Sequence, residues 1–184
     1  MTTEVAFLRA VNVAGHASLK MTALRRVFES AGCTNVRTYI QSGNVIFDAP
    51  RATSAAIRQR IGRGLDKLVG EEVAVAYRTL RELLRAADAA PFASLEEKGD
   101  IKLYVGFLIA RPRKAPTLPL SFPKDGLELT QLARREVFVV SRKVKGRYGF
   151  PNNLIEKELD VPATTRNWNT VKKIIALASE RDVG

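Results

Sequence analysis

The order of the first secondary-structure patterns constrains this chain most, because strand-like and helix-like segments alternate at its start. Residues 4–11 have the pattern of a strand, and the helical stripe at residues 21–31 ends at Gly32, a typical C-terminal cap. Two β-rich runs, residues 35–40 and 44–49, flank a Gln-Ser-Gly turn and predict a hairpin. The chain therefore begins with the order β-α-β-β.

A second helix and a fourth strand complete this pattern. Residues 53–70 carry apolar side chains at helical spacing, and residues 71–77 return to strand-like alternation. The order β-α-β-β-α-β is the signature of a ferredoxin-like fold, in which two helices cover one face of an antiparallel sheet. We therefore predict an α+β protein with two lobes, of which residues 1–90 form a ferredoxin-like half.

Residues 91–184 are predicted to form a related second α+β half. Residues 101–109 alternate strictly between apolar and other side chains, which indicates a strand. The proline-rich stretch 110–126 is predicted to be an ordered loop or a flexible linker without regular structure. A basic hairpin over residues 127–141 and two closing helices, at 152–159 and 167–180, complete this half.

The net charge narrows the classes of partner. Lysine and arginine number 30 against 19 acidic residues, a formal charge of +11, which attracts nucleic acid or phosphorylated small molecules. Alternatively, the charge reflects only the amino-acid composition of the chain and has no role in binding nucleic acid. No apolar run approaches the roughly 18 residues that cross a bilayer, and the first residues lack a basic targeting region. We expect a cytoplasmic protein without a membrane partner.

The scarcity of cysteine and histidine excludes several kinds of site. Cys33 and His16 are the only residues of their types. A disulfide framework and a structural zinc set are thereby excluded, and we expect neither a metal nor a cofactor. Cys33 is expected to pack as a small apolar side chain.

Three polar blocks carry a family resemblance. The stretches AFLRAVNVAG at residues 6–15, TYIQSGNVIF at 38–47 and TTRNWNTV at 164–171 together resemble the signature blocks of the bacterial domain-of-unknown-function family 1697. The resemblance implies a two-lobed α+β protein with ferredoxin-like halves and no particular activity. The first block departs from the family pattern at Ala10 and Ala14, where glycine is usual.

The third block precedes a helix in which Asn167 and Thr170 fall within the apolar arc. We expect both side chains to be partly buried and hydrogen-bonded. Asn167 can simply cap the helix by accepting from the amide of Thr170. Arg166 places a fork of donors beside the helix N-terminus, which suits a phosphate or carboxylate ligand, although a structural ion pair fits equally well.

The same three blocks predict one shared ligand-binding cluster. The other two supply neutral polar groups and glycine near turns: Asn12, Gly15, Gln41, Ser42 and Asn44. Turn chemistry alone also explains the serine, glycine and asparagine of the second block. We nevertheless predict that these residues lie close to Arg166, Asn167 and Thr170.

A basic run at residues 134–150 is the second candidate. Its cations are Arg134, Arg135, Arg142, Lys143, Lys145 and Arg147, and it ends with Tyr148 and Phe150. This composition favours contact with a polyanion, although charge runs on hairpins are often only solvated surface. Base stacking on the first sheet is disfavoured, because Asn44 and Ile46 stand where aromatic side chains would be needed.

These observations favour a protein that binds a phosphate-bearing ligand, either nucleic acid or a nucleotide-like small molecule. One alternative is a small-molecule enzyme of unknown reaction in which polar cluster residues orient the substrate, namely Asn12, Ser42, Asn44, Arg166 and Asn167. Another is a protein-interaction module that uses an open sheet face.

Overall fold

A computed structural model describes residues 1–9, 20–39, 43–95 and 99–180. The strands are β1 (Thr2–Leu8), β2 (Thr34–Tyr39), β3 (Asn44–Ala49), β4 (Val75–Thr79), β5 (Ile101–Leu108), β6 (Leu120–Phe122), β7 (Leu127–Ala133), β8 (Glu136–Arg142) and β9 (Ala163–Asn167). The helices are α1 (Met21–Ser30), α2 (Ser54–Val69), α3 (Leu80–Asp88), α4 (Asn152–Leu159) and α5 (Trp168–Ser179), with a 3-10 turn at Arg51–Thr53.

The first sheet has the strand order β2-β3-β1-β4, and each neighbouring pair is antiparallel. Strand β1 is central, because Val5 lies opposite Ile46 of β3 on one side and opposite Arg78 of β4 on the other. This order, with α1 and α2 as the connections, is compatible with the predicted ferredoxin-like half. The predicted α+β class with two antiparallel sheets is confirmed.

Helices α1 and α2 cover one face of this sheet because each carries an apolar stripe at helical spacing. Leu24 and Phe28 of α1 pack with Ile57 and Ile61 of α2 over the strand residues, and all four are buried. The ring of Phe28 lies 5.2 Å from that of Phe47 on β3, at a tilt of 57°. These contacts form the first hydrophobic core.

One ion pair lies at the edge of this core. Arg58 of α2 donates from Nη2 and Nε to Oε2 of Glu4, at 2.7 and 3.1 Å, and its guanidinium lies 4.9 Å from the centre of the Tyr77 ring.

Burial raises the pKa of Tyr77 above its usual value and raises the pKa of Cys33 to about 11. Cys33 is 5% exposed within the core, so its thiol is protonated at neutral pH.

The second sheet has the order β6-β7-β8-β5-β9 and is also antiparallel throughout. Helix α4 covers one face, where Ile155 and Leu159 pack against apolar side chains of β5 and β8. Gly106 permits this close approach, because a Cβ there would lie 2.5 Å from Cδ1 of Ile155.

The opposite face of this sheet is aromatic. Phe138 of β8 packs edge-on against Phe92 and Trp168, with ring centres 5.6 and 6.4 Å away. Phe92 and Trp168 also contact each other, at 5.7 Å. Edge-to-face contacts of this kind fix ring orientation in addition to burying area.

The proline-rich segment 110–126 contains regular structure, so the prediction of none was wrong. Strand β6 lies inside it and pairs with β7 at the sheet edge, where Leu120 faces Leu129. Pro119 and Pro123 flank the strand. Proline is tolerated at an edge because no partner needs its missing amide hydrogen there.

The contacts divide the chain into two compact units. The first comprises Met1–Leu83 and Ala176–Gly184, and the second comprises Leu84–Ile175. Each contains one of the two sheets. The proposed domains 1–90 and 91–184 stay a prediction.

Candidate functional site

The third polar block is part strand and part helix. Thr164, Thr165 and Arg166 belong to β9, an edge strand in which Arg166 faces Val105 of β5. No strand was predicted for these residues, although β-branched threonines favour strands. The predicted closing helix is present as α5, which begins at Trp168.

Asn167 caps α5. Its side-chain Oδ1 accepts a hydrogen bond of 2.9 Å from the amide of Asn169, and the predicted bond from the amide of Thr170 stays a prediction. The Asn167 and Thr170 side chains are both partly buried, as the helical projection indicated. The hydrogen bond to Asn167 matches the interpretation that this side chain caps the helix.

Arg166 is a buried cation. It is 8% exposed, and its Nη1 donates to Oγ1 of Thr164 at 2.7 Å and to the carbonyl oxygen of Thr165 at 2.9 Å. Burial lowers the pKa of the guanidinium to about 10, so it remains charged at neutral pH. These bonds orient the side chain, and the anion-binding role of Arg166 stays a prediction.

The remaining members of the predicted cluster divide into two groups. Asn12, Gly15, Gln41 and Ser42 lie outside the described residues. Asn44 opens β3, is fully buried, and donates from Nδ2 to the carbonyl oxygen of Tyr39 at 3.1 Å. The shared cluster of the three polar blocks therefore stays a prediction.

A second buried arginine, Arg78 of β4, was missed by the sequence analysis. It is 0% exposed, and its Nη1 donates to the carbonyl oxygen of Tyr77 at 2.8 Å. Through the pairing of both strands with β1, it shares a face of the first sheet with Asn44. An arginine within a strand pattern gives no sequence signal of full burial, because the charged head of arginine commonly stays in solvent while its stem lies along apolar surface.

The predicted basic run does not form a single surface. Arg134 and Arg135 lie in the turn between β7 and β8, whereas Arg142 lies at the far end of β8. A strand of this length separates its two ends by roughly 20 Å. The candidate surface is therefore limited to residues 142–150, which we call the basic loop.

The basic loop is folded back on itself. The backbones of Val144 and Arg147 exchange two hydrogen bonds, of 2.8 and 3.0 Å. Between them, Lys145 and Gly146 have positive φ values of 48° and 80°, the conformation of a type I′ turn. The turn places Lys145 at an exposed tip with Arg147 beside it.

Two further backbone bonds anchor the start of the basic loop. The amide of Arg142 donates to the carbonyl oxygen of Gly126 at 2.7 Å, and that of Lys143 donates to Asp100 at 2.9 Å. Gly126 has a φ of 66°, and a Cβ there would overlap the carbonyl oxygen of Arg142. Glycine at this position therefore permits the close approach of two backbone segments.

A cavity of about 450 Å³ lies against the basic loop. Its lining consists of Lys124, Asp125, Val144, Lys145, Arg147, Tyr148 and Gly149. Three cationic side chains and one carboxylate thus surround it. Lys124 comes from the turn before β7, and the sequence analysis did not single it out.

Two further cations lie beside the ring of Tyr148. Its ring centre lies 4.4 Å from Nζ of Lys102 and 5.9 Å from Nζ of Lys143, both within reach of a cation–π contact. Its hydroxyl donates to the carbonyl oxygen of Gly99. Lys102 belongs to β5, and the sequence analysis missed it too.

A second cavity, of about 380 Å³, lies beside the start of α5. It is lined mainly by apolar side chains, with Asn169 and Lys172 as polar members: Ala90, Pro91, Phe92, Ala93, Leu95, Leu103, Trp168, Asn169 and Lys172. Its single cation makes it a weaker anion site than the cavity of the basic loop.

In the part of the chain that the structure describes, no three His, Cys, Asp or Glu side chains group as metal ligands. None of the helices in that part has the length and apolarity needed to cross a membrane.

Comparison with known proteins identifies the family. Residues 1–138 match the model of the family described as protein of unknown function, DUF1697. The chain belongs to this family. The predicted family membership is thereby confirmed, and the first two polar blocks lie within the matched residues.

A solved structure supports the fold over nearly the whole chain. The conserved bacterial protein SP0830 from Streptococcus pneumoniae is similar with a TM-score of 0.60 and 18% sequence identity, covering 97% of this chain and 99% of that one. At this identity the similarity concerns the fold alone. No curated protein matches the chain.

Proposed function

We propose that this DUF1697 protein binds a phosphate-bearing ligand, a nucleic acid or a nucleotide-like small molecule, at the basic loop. The observation that carries the proposal is the cavity of about 450 Å³, at which Lys124, Lys145 and Arg147 converge. Its volume lies within the usual range of about 300–1,000 Å³ for ligand pockets. The formal charge of +11 adds a long-range field that attracts anions.

Phosphate suits this arrangement because the loop offers both kinds of cationic donor. Arg147 supplies a planar fork that binds two phosphate oxygens, and the lysines supply compact charges. Asp125 in the same lining repels an anion that comes too near. This repulsion favours a phosphate held at the loop tip, by Lys145 and Arg147.

The test measures how salt weakens binding to a labelled DNA duplex. Four phosphate contacts would give a slope of about −3.6 in a plot of log affinity against log salt. Replacing Arg142, Lys143, Lys145 and Arg147 by alanine should remove most of that slope. A matched control removes four other exposed cations, by alanine at Arg26, Arg63, Arg81 and Lys173.

The two variants carry the same net charge, so comparing them separates a local surface from general basicity. Equal weakening by both would assign binding to the overall charge and contradict the proposal. Binding indifferent to salt and to the loop substitutions would also contradict it. Titration with inorganic triphosphate then decides whether the loop holds a small ligand or needs a polymer.

A further inference from the structure

Phe150 is an exposed aromatic side chain at the end of the basic loop. It is 62% exposed, and among the described residues the other exposed large apolar side chains are Met1, Leu68 and Leu84, none of them aromatic. Because Phe150 ends the run of cations in the basic loop, its ring offers an apolar face to a partner that those cations attract.

Phe150 is fixed in this exposed position by its surroundings. Its ring stands at 90° to that of Tyr104, with centres 5.8 Å apart. Before it, Ser141 Oγ donates to the carbonyl oxygen of Gly149 at 2.9 Å. After it, buried Pro151 precedes α4 as its N-cap residue, and its carbonyl oxygen accepts from the amide of Ile155. The ring therefore presents a pre-ordered surface.

Phe150 is also the more accessible of the two rings of the basic loop. Lys102 and Lys143 lie beside the ring of Tyr148, whose hydroxyl is engaged by Gly99. Tyr148 thus organises the neighbouring cations, whereas the exposed ring of Phe150 is accessible to a planar ligand.

We propose that the basic loop binds single-stranded nucleic acid, with one base stacked on Phe150 and the adjoining phosphates held by Arg142, Lys143, Lys145 and Arg147. This deepens the function proposed above and rests on it. In a duplex both faces of a base are covered by neighbouring pairs, whereas a single strand leaves them accessible. A cationic surface with an exposed ring therefore favours the single strand.

The experiment compares a fluorescein-labelled single strand of about 15 nucleotides with its duplex, by fluorescence anisotropy, between about 50 and 200 mM KCl. We expect tighter binding of the single strand. Phe150→Ala should weaken that binding about 5- to 150-fold and leave the salt slope unchanged, since it removes stacking but no charge. Phe150→Trp should restore it, and Leu68→Ala, also at an exposed apolar site, should have no effect.

The outcomes distinguish this inference from the proposed function. If the four-alanine loop variant flattens the salt slope while Phe150→Ala binds the single strand normally, the inference fails and the proposed function stands. Equal weakening of single-strand and duplex binding by Phe150→Ala would also overturn it. If vesicles containing phosphatidylserine bind more tightly than the single strand, and Phe150→Ala abolishes that binding, the ring inserts into a membrane surface instead. Absence of salt-dependent binding to any phosphate ligand refutes both proposals.

Discussion

Substituting Arg166 separates a structural role for this buried cation from a ligand-binding one. Arg166→Ala removes the two hydrogen bonds to Thr164 and Thr165 and the stem that packs beside them. If the side chain only stabilises β9, the variant should lose stability and leave anion binding unchanged. If it contacts a ligand, anion binding should fall as well.

The expected loss of stability depends on two stabilising contributions of the Arg166 side chain and on one cost that opposes them. Hydrogen bonds donated by a charged group contribute about 1.5–3 kcal/mol each, and two buried methylenes contribute about 0.8 kcal/mol each. Holding a cation at 8% exposure, where burial lowers the pKa of the guanidinium to about 10, offsets part of that gain. We expect Arg166→Ala to lower the free energy of unfolding by about 2–3 kcal/mol.

The assay is urea unfolding at neutral pH followed by the fluorescence of Trp168, the only tryptophan, two residues from Arg166. Arg166→Met keeps the stem without its donors and should recover about 1–2 kcal/mol of the loss. Arg142→Ala, at an exposed arginine of β8, should cost less than about 0.5 kcal/mol yet weaken anion binding. Wild-type stability in Arg166→Ala would refute the structural role.

Two further predictions concern the first core. Burial raises the pKa of the Tyr77 hydroxyl, so as the pH rises the unfolded chain loses the hydroxyl proton before the folded chain does. The contribution of Tyr77 to stability is therefore complete below about pH 10 and is lost as the pH rises further. Tyr77→Phe should therefore flatten the alkaline fall in unfolding free energy by at most about 1.4 kcal/mol per pH unit, and an unchanged profile would contradict this. The thiol of Cys33 is buried and its pKa is raised to about 11. Near pH 8, a chromogenic disulfide should therefore react at least about a hundredfold faster with the urea-unfolded chain than with the folded protein. Equal rates would show that Cys33 is accessible.

The fold class was predictable because local patterns decide it in this chain. The stripe containing Leu24 and Phe28, the hairpin around Gly43 and the alternation of residues 101–109 each give one dominant structural signal. Strand β6 lacked such a signal. Its three residues lie between prolines, and only pairing with β7 makes them a strand.

The start of α5 shows how far local reasoning extends into the site. The sequence predicted partial burial of Asn167 and a role as helix cap, because both depend on helical geometry alone. The observed bond from the amide of Asn169 comes from the residue two positions after Asn167. The position of Asn167 at the end of β9 was not predicted, because the strand itself was not recognised.

The basic loop illustrates why charge runs do not define sites by themselves. Six residues of β8 separate Arg135 from the basic loop, and the extended backbone converts this short sequence interval into roughly 20 Å. The antiparallel pairing of β5 with β8 meanwhile brings Lys102 opposite Ser141, beside the loop. Strand pairing thus removes two cations from the predicted surface and adds one from about 40 residues earlier in the chain. Strand register therefore determines which cations lie beside the proposed phosphate site, namely those of the basic loop and Lys102. Substitutions at Arg134 and Arg135 should leave phosphate binding at the basic loop unchanged.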